Sequence, residues 1–472
     1  MEVECRKLVP DPRRGKNMFV LGMLCNLYSF DVGLAHDQIA ITFGKKEEKI
    51  VTTNVRLFDV GWAWAEAHLD FQLRIPATKA SEAQVVVTGN AALAPGILAS
   101  GMEICAMYPI TPATSASHYL TEIFERVGGI VHQAEDEIAA CAFAIGAGYG
   151  GKCAVTITSG PGYSLKQEGI GLAVMAEIPL VVVNVQRGGP STGQPTKVEQ
   201  GDLLSVMFGT HGDAPKVVIA VSGIEDCFYT MITARKIAET FNTVVVVLSD
   251  ASLASAQQPF PRPLFVEDWL APPVDQTAVP EGAKPYDWDA ETGLFRRFIP
   301  GQPGGMHTVT GLAHDRESHV AYDPAINEEG LRFRSRKLAA LQRTLRCPPV
   351  FGDAEGDLLV VGWGGTKGAI EEAVEGLRAE GHKVSSLHLK FIQPMPSGIG
   401  DILKRFKKVL TIEANWADRV GDPLIDEENR RYAALAMLLR ARYLVDVDCW
   451  TEVRGRPIGP GSIRSVLLGR LA

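Results

Sequence analysis

The chain has 472 residues, 46% of them hydrophobic and 22% charged, with 55 acidic against 47 basic side chains and a net charge of −8. This composition belongs to an ordinary globular protein rather than a disordered one, and at roughly 150 residues per domain the length suggests about three domains. The acidic balance argues against a nucleic-acid partner or a polybasic membrane role.

In chain order, the N-terminus (MEVECRKLVPDPRRGKN) is mixed in charge and proline-containing, unlike a targeting segment. The apolar stretch Met18 to Tyr28 is interrupted by Asn26 and is too short to span a bilayer. Residues 18–83 give no complete βαβ unit; LGMLCNLYSF reads as a helix and Asp37–Phe43 as a second. From Gln84 the pattern becomes regular. Strands are expected at Gln84–Thr88, up to Met107, and at Ile130–Gln133, Lys152–Thr158, Leu180–Gln186, Lys216–Val221 and Thr243–Leu248, with helices between them. Such alternation predicts a parallel sheet covered by helices on both faces. Residues 256–305 carry nine of the 28 prolines and read as a linker or an ordered excursion. Residues 328–342 read as a basic helix, and a second α/β unit begins at Asp357.

Open parallel sheets bind ligands outside the carboxyl ends of their strands. The segments at those ends are Thr88-Gly89-Asn90, Tyr108-Pro109-Ile110-Thr111-Pro112, Glu135-Asp136-Glu137, Thr158-Ser159-Gly160-Pro161-Gly162 and Gln186 to Gly193. All five are polar or rich in Gly and Pro, and they share one edge of the predicted sheet. Glu137 opens a helix, where the dipole favours a carboxylate; it could meet a ring nitrogen of a cofactor or serve only as an N-terminal acid. Thr158–Gly162 lets backbone approach a ligand, but it has neither the Walker nor the GxGxxG spacing, which disfavours a nucleotide-binding flavodoxin-like module. Arg187 at the lip of a sheet suits bidentate capture of a carboxylate, and equally an ion pair. His211 and His307 have no partner at metal-ligand spacing, and no Ser-His-Asp or Cys-His arrangement stands out. The eight cysteines (5, 25, 105, 141, 153, 227, 347 and 449) are too scattered for zinc-ribbon or ferredoxin-type spacing. They do not form a secreted disulfide framework either, so a reducing cytoplasm is expected.

Taken as a set, Tyr108-Pro-Ile-Thr-Pro112, Thr158-Ser-Gly-Pro-Gly162 and QRGGPSTGQPTKVEQGDLL (186–204) resemble the alpha subunit of 2-oxoacid:ferredoxin oxidoreductases, which are thiamin-diphosphate enzymes. VVGWGGTKGAI (360–370), VTGLAHD (309–315) and RGRPI (454–458) fit the same family, and the PSTG form is most similar to its 2-oxoglutarate type. The implied fold class is α/β: a thiamin-diphosphate-binding-type parallel-sheet domain plus a C-terminal transketolase-like α/β domain, with a partial N-terminal gamma-like region. The implied division is a gamma-like region over 1–83, a pyrimidine-binding domain over 84–255, a Pro-rich excursion and helix over 256–346, and the transketolase C-terminal-like domain over 347–472.

The resemblance also assigns roles. Glu137 matches the glutamate that hydrogen-bonds the aminopyrimidine ring of the cofactor, and Thr111 and Arg187 match residues that hold the substrate. Tyr108, Pro109, Ile110, Ser159 and Gly160 fall in the segments lining the cofactor. The expected reaction is oxidative decarboxylation of a 2-oxoacid to its acyl-coenzyme A, with electrons passed to ferredoxin. Alternatives are the same reaction on pyruvate or on branched-chain or aryl 2-oxoacids, or a non-catalytic assembly subunit. No GDG motif occurs in the chain, and no cysteine set could hold a cluster. In the family the diphosphate, its magnesium and the 4Fe-4S cluster belong to the beta subunit, which implies a heterodimer or a dimer of heterodimers, with no resident metal on this chain and no nucleic-acid or membrane partner. The segments 16–30 and 52–66 resemble the latter part of a gamma-like domain whose opening glycine-rich strand–turn is missing. The region's part in any coenzyme A contact is therefore left open.

Overall fold

The computed structural model describes residues 1–75, 80–270 and 274–471. They form two compact units, Met1–Ala83 and Gln84–Ala472.

The first unit is helical: α1 (Glu2–Cys5), α2 (Lys16–Leu27), α3 (Val32–Phe43) and α4 (Glu48–His68). The second helix expected from sequence starts five residues earlier than Asp37, because the Asp31 side chain accepts the Leu34 amide at 3.1 Å and caps it. α4 buries Leu57, Phe58, Gly61 and Ala65 at helical spacing. α2 and α4 cross at a pair of glycines. A Cβ on Gly61 would collide with the Phe19 carbonyl, and one on Gly22 with the Phe58 carbonyl. Only glycine lets the two backbones approach this closely.

In the second unit the strands are β1 (Gln84–Thr88), β2 (Ile104–Met107), β3 (Ile130–Gln133), β4 (Ala154–Thr158), β5 (Leu180–Gln186), β6 (Val217–Ala220), β7 (Val244–Asp250), β8 (Gln257–Pro261), β9 (Val350–Phe351), β10 (Gly356–Trp363), β11 (Val384–Leu389), β12 (Phe391–Gln393), β13 (Phe406–Glu413) and β14 (Asp448–Thr451). The helices are α5 (Gly89–Ala99), α6 (Thr114–Phe124), α7 (Glu137–Tyr149), α8 (Gly160–Met175), α9 (Leu203–Phe208), α10 (Ile224–Phe241), α11 (Ala251–Ser255), α12 (Pro324–Thr344), α13 (Lys367–Ala379), α14 (Ile399–Leu403), α15 (Ala434–Tyr443) and α16 (Pro460–Leu471).

A seven-stranded sheet runs β12-β6-β7-β5-β4-β2-β3, parallel except for β12. Its central strands are continuous apolar runs because both faces are covered. Val182, Val244 and Val246 point to one core with α7 and α8, while Val181, Val183, Val245 and Val247 point to the other with α5, α6 and α10. The sequence reading placed Gln84–Thr88 in this sheet. Instead β1 pairs antiparallel with β8 in a separate two-stranded ribbon. Partly exposed along its length, it lacks the doubly buried character of β4, β5 and β7.

The second sheet runs β14-β13-β10-β11-β9, parallel but for β9. The two sheets share one core: Leu359, Val361 and Trp363 of β10 pack into the same cluster as α7 and α8. On the other face of the second sheet, α13 and α16 close a smaller core.

The proline-rich segment is an ordered excursion rather than a loose tether. Tyr286 Oη donates to the Ala176 carbonyl at 3.1 Å, and Trp288 Nε1 donates to Glu177 at 2.9 Å. Lys337 of α12 forms an ion pair with the same carboxylate and donates to the Asn242 carbonyl at 3.2 Å. Both charges are buried, so removing one strands the other. Lys337→Met should therefore destabilise the second unit by about 3–5 kcal/mol, as read from chemical denaturation.

Candidate active site

The carboxyl ends of β2, β3, β4, β5 and β7 lie side by side along one edge of the seven-stranded sheet. Tyr108 to Pro112 follows β2 and turns through a cis Thr111–Pro112 peptide. Asn90, at the start of α5, holds this turn by donating from Nδ2 to the Pro112 carbonyl and to Ser115, each at 2.8 Å. Tyr108 and Thr111 are exposed, Pro109 is half-buried, and Ile110 packs partly against the core beneath.

Glu137 is the first residue of α7 and is 8% exposed. Asp136 caps the helix, accepting the Ala139 amide at 2.7 Å, which leaves the Glu137 side chain free of that task. Among the described residues no donor reaches the Glu137 carboxylate. Space for it comes from α8, where a Cβ on Gly162 would lie 2.9 Å from Glu137 Oε1 and against Thr158. Ser159 and Tyr163, beside it in α8 and its cap, are buried with hydroxyls that have no partner. A buried carboxylate without a donor, next to unpaired hydroxyls, suits a ligand with ring N–H and amino groups.

Arg187 directly follows β5 and is also 8% exposed. Its Nη1 donates to the Thr111 carbonyl at 2.6 Å, while its Nε is buried without an acceptor. The structure thus joins Arg187 to Thr111 through the backbone. Arg187 and Gly160 line a cavity of about 630 Å³, with Ser164, Ser191, Glu199 and Asp202. Glu137, Thr111 and the Tyr108–Ile110 segment are not among its walls.

The loop between β5 and α9 is held at its far end by groups that sequence reasoning quoted only as part of a motif. Asp202 accepts Asn184 Nδ2 at 3.0 Å, and its amide donates to Gln186 at 3.1 Å. Burial pushes the Asp202 carboxyl above its usual range, opposed by Asn184 and by the Arg187 charge. Burial also raises Glu199, opposed by the Gly189 amide that donates to it at 3.1 Å. Gln200 donates to Asp250 at 3.2 Å, and its own amide donates to the Ala414 carbonyl at 2.8 Å. Lys166 of α8 was missed altogether. It is 1% exposed and donates from Nζ to the Glu137 carbonyl at 2.8 Å. Nothing in SLKQEG distinguishes it from a surface lysine.

Among the described residues, no group of three or more His, Cys, Asp or Glu side chains is placed to hold a metal ion, and no helix is long and apolar enough to cross a membrane. All eight cysteines are unpaired, and all but Cys347 are buried.

Comparison with known proteins adds three findings. Residues 95–329 match the family model described as pyruvate flavodoxin/ferredoxin oxidoreductase, thiamine diphosphate-binding, and residues 356–438 match pyruvate:ferredoxin oxidoreductase core domain II. The chain is 38% identical to the 2-oxoglutarate oxidoreductase subunit KorA of Mycobacterium tuberculosis, over 98% of this chain and 70% of that protein. It is 34% identical to the 2-oxoglutarate synthase subunit KorA of Methanocaldococcus jannaschii, over 69% of this chain and 87% of that one. Its fold matches the 2-oxoglutarate:ferredoxin oxidoreductase from Magnetococcus marinus, solved with 2-oxoglutarate, coenzyme A and succinyl-CoA bound. That match has a TM-score of 0.89 at 33% identity and covers 100% of this chain and 80% of the other.

The close fit at Gly162 is testable by itself. Gly162→Ala should lower stability by about 1–3 kcal/mol through overpacking, measured by thermal melting, and should displace the Glu137 carboxylate in a crystal structure of the variant.

Proposed function

The chain belongs to the family of 2-oxoacid:ferredoxin oxidoreductase alpha subunits, and from that premise we propose that it catalyses, with a beta subunit, the oxidative decarboxylation of 2-oxoglutarate to succinyl-coenzyme A, passing electrons to ferredoxin. The observation that carries this reading is the buried Glu137 carboxylate without a donor, set at a helix N-terminus beside Ser159 and Gly162. Thiamin diphosphate, when bound, supplies the carbanion stabilisation that decarboxylation needs.

In this reading Glu137 accepts a proton-bearing nitrogen of the aminopyrimidine and holds that ring's proton. Arg187, fixed by its bond to the Thr111 carbonyl, offers its remaining donors to a substrate carboxylate. Thr111 faces the 2-oxoacid end from the same turn. Tyr108, Pro109, Ile110, Ser159 and Gly160 form the wall against the cofactor. The division of the chain into a gamma-like region (1–83), a pyrimidine-binding domain (84–255), an excursion (256–346) and a transketolase-like domain (347–472) goes with this assignment.

The chain has no GDG motif, so the diphosphate, its magnesium and the 4Fe-4S cluster are assigned to the beta subunit. The seat for that subunit is the outer face of α7 and α8. Ile138, Phe143, Leu165 and Leu172 are exposed on these two helices, and Ile138 directly follows Glu137. Apolar side chains clustered at the rim of a site are the usual mark of a covered face. A cytoplasmic location agrees with this electron-transfer role.

The experiment is reconstitution. Co-expressed with its beta subunit, the chain should reduce ferredoxin or a viologen with 2-oxoglutarate, dependent on thiamin diphosphate and coenzyme A. Faster turnover on pyruvate or on branched-chain or aryl 2-oxoacids would reassign the substrate. Glu137→Gln should lower kcat by about 100-fold or more while the pair stays assembled, as expected on removing an acid–base group; normal turnover would refute the assignment. Arg187→Lys should raise KM for the 2-oxoacid by about tenfold or more, because a single ammonium cannot reproduce a fork. Unchanged saturation would make Arg187 structural.

A further inference from the structure

Lys166 is an ammonium where the packing calls for a hydrocarbon. It lies on the buried face of α8, next to Tyr163 and Ile170 and opposite Cys141 of α7, and it is 1% exposed. Among the described residues no carboxylate comes within ion-pairing distance of it, and its one acceptor is the main-chain carbonyl of Glu137, at 2.8 Å. Burying a lysine with a single neutral acceptor is unfavourable, and a methionine would fill the same space without that penalty.

We propose that Lys166 is the positioning residue of Glu137: its Nζ pins the first turn of α7 from below and sets a positive charge under the carboxylate that meets the cofactor. The inference rests on the functional reading of Glu137 given above.

The groups facing this point come from five directions. Glu135 and Asp136 belong to the approach to α7, Cys141 to α7 itself, Cys105 to β2 beneath, Tyr163 and Lys166 to α8, and Asp202 to the loop after β5. Burial pushes Cys105 up to about 12 and Cys141 up to about 11, and it also raises Tyr163, so these three are neutral. Lys166 is therefore the lone cation of the set. Burial lowers its own pKa, while the charges of Glu137 and Asp136 favour the ammonium. Glu137 has only the length of its own side chain with which to aim, and its carbonyl is the atom from which α7 departs. A fixed carbonyl therefore means a fixed carboxylate.

Two measurements separate this from a merely structural role. In the isolated chain without cofactor, Lys166→Met should speed hydrogen exchange of the first-turn amides of α7 by about tenfold, the equivalent of one hydrogen bond to a charged donor, while leaving the amides of α10 unchanged. Equal exchange in wild type and variant overturns the positioning claim whatever the cofactor does. In the complex with the beta subunit, Lys166→Met should weaken thiamin diphosphate binding, since the first turn of α7 has lost its tether. Lys166→Arg should recover part of that binding. In a Glu137→Gln background, Lys166→Met should add nothing further to the cofactor Kd. Additive losses would reduce Lys166 to a packing residue. A wild-type complex that binds no thiamin diphosphate would instead remove the assignment of Glu137, an outcome the exchange experiment distinguishes.

Discussion

Gln200 sits where the two parallel sheets meet, and the geometry of the candidate site hangs from it. Its side chain donates to Asp250 at the end of β7 and to the Trp363 carbonyl at the end of β10, and its backbone amide donates to Ala414 just past β13. One side chain thus ties the carboxyl ends of strands from both sheets. Burial raises Asp250, opposed by the amides of its own helix cap and by Gln200, so an unsatisfied neighbour there would leave a buried acid stranded. The loop that begins at Arg187 is stretched between two fixed points: the Thr111 carbonyl at one end and this junction at the other. Arg187, Glu199 and Asp202 hold their places because the loop has nowhere else to go.

A second consequence of the shared core is that the division between α/β domains is topological rather than physical. β12, from the C-terminal half, completes the first sheet against β6, and Lys390 just before it donates to Asp226 of α10 at 2.5 Å. Leu359, Val361 and Trp363 fill the layer above α7 and α8. The residues that carry Glu137 are therefore packed from one side by the sheet of their own domain and from the other by the following one.

Much of this arrangement is legible in the residues. The parallel strands from Ile104 to Asp250 show as short apolar runs broken by Gly, Pro and polar clusters, and those clusters turned out to share an edge because parallel strands all end on the same side. Glu137 and Arg187 could be singled out because each follows such a strand. What could not be read depends on distance along the chain. Gln84–Thr88 has the composition of a parallel strand, and only its pairing with Gln257–Pro261 reveals otherwise. α4 was not assigned as a helix from sequence; its buried positions include Gly61, which carries no hydrophobic signal, yet makes the crossing with α2. Lys166 was invisible because burial is a property of α8 against α7, and a lysine one turn from Gly162 has no local mark of it.

The way the first sheet is finished bears on how the polypeptide comes off the ribosome. β6 has β7 on one side, but its other neighbour, β12, lies beyond Gln257–Pro261, the whole excursion and three more strands. Until Phe391–Gln393 emerges, the nascent chain carries Val217–Ala220 as an uncovered hydrophobic edge, ready to pair with any strand that arrives first. Pairings of such long sequence separation form slowly. The intermediate that waits for β12 is consequently the species a chaperone would meet, and a chain cut short before residue 391 would keep that edge open permanently.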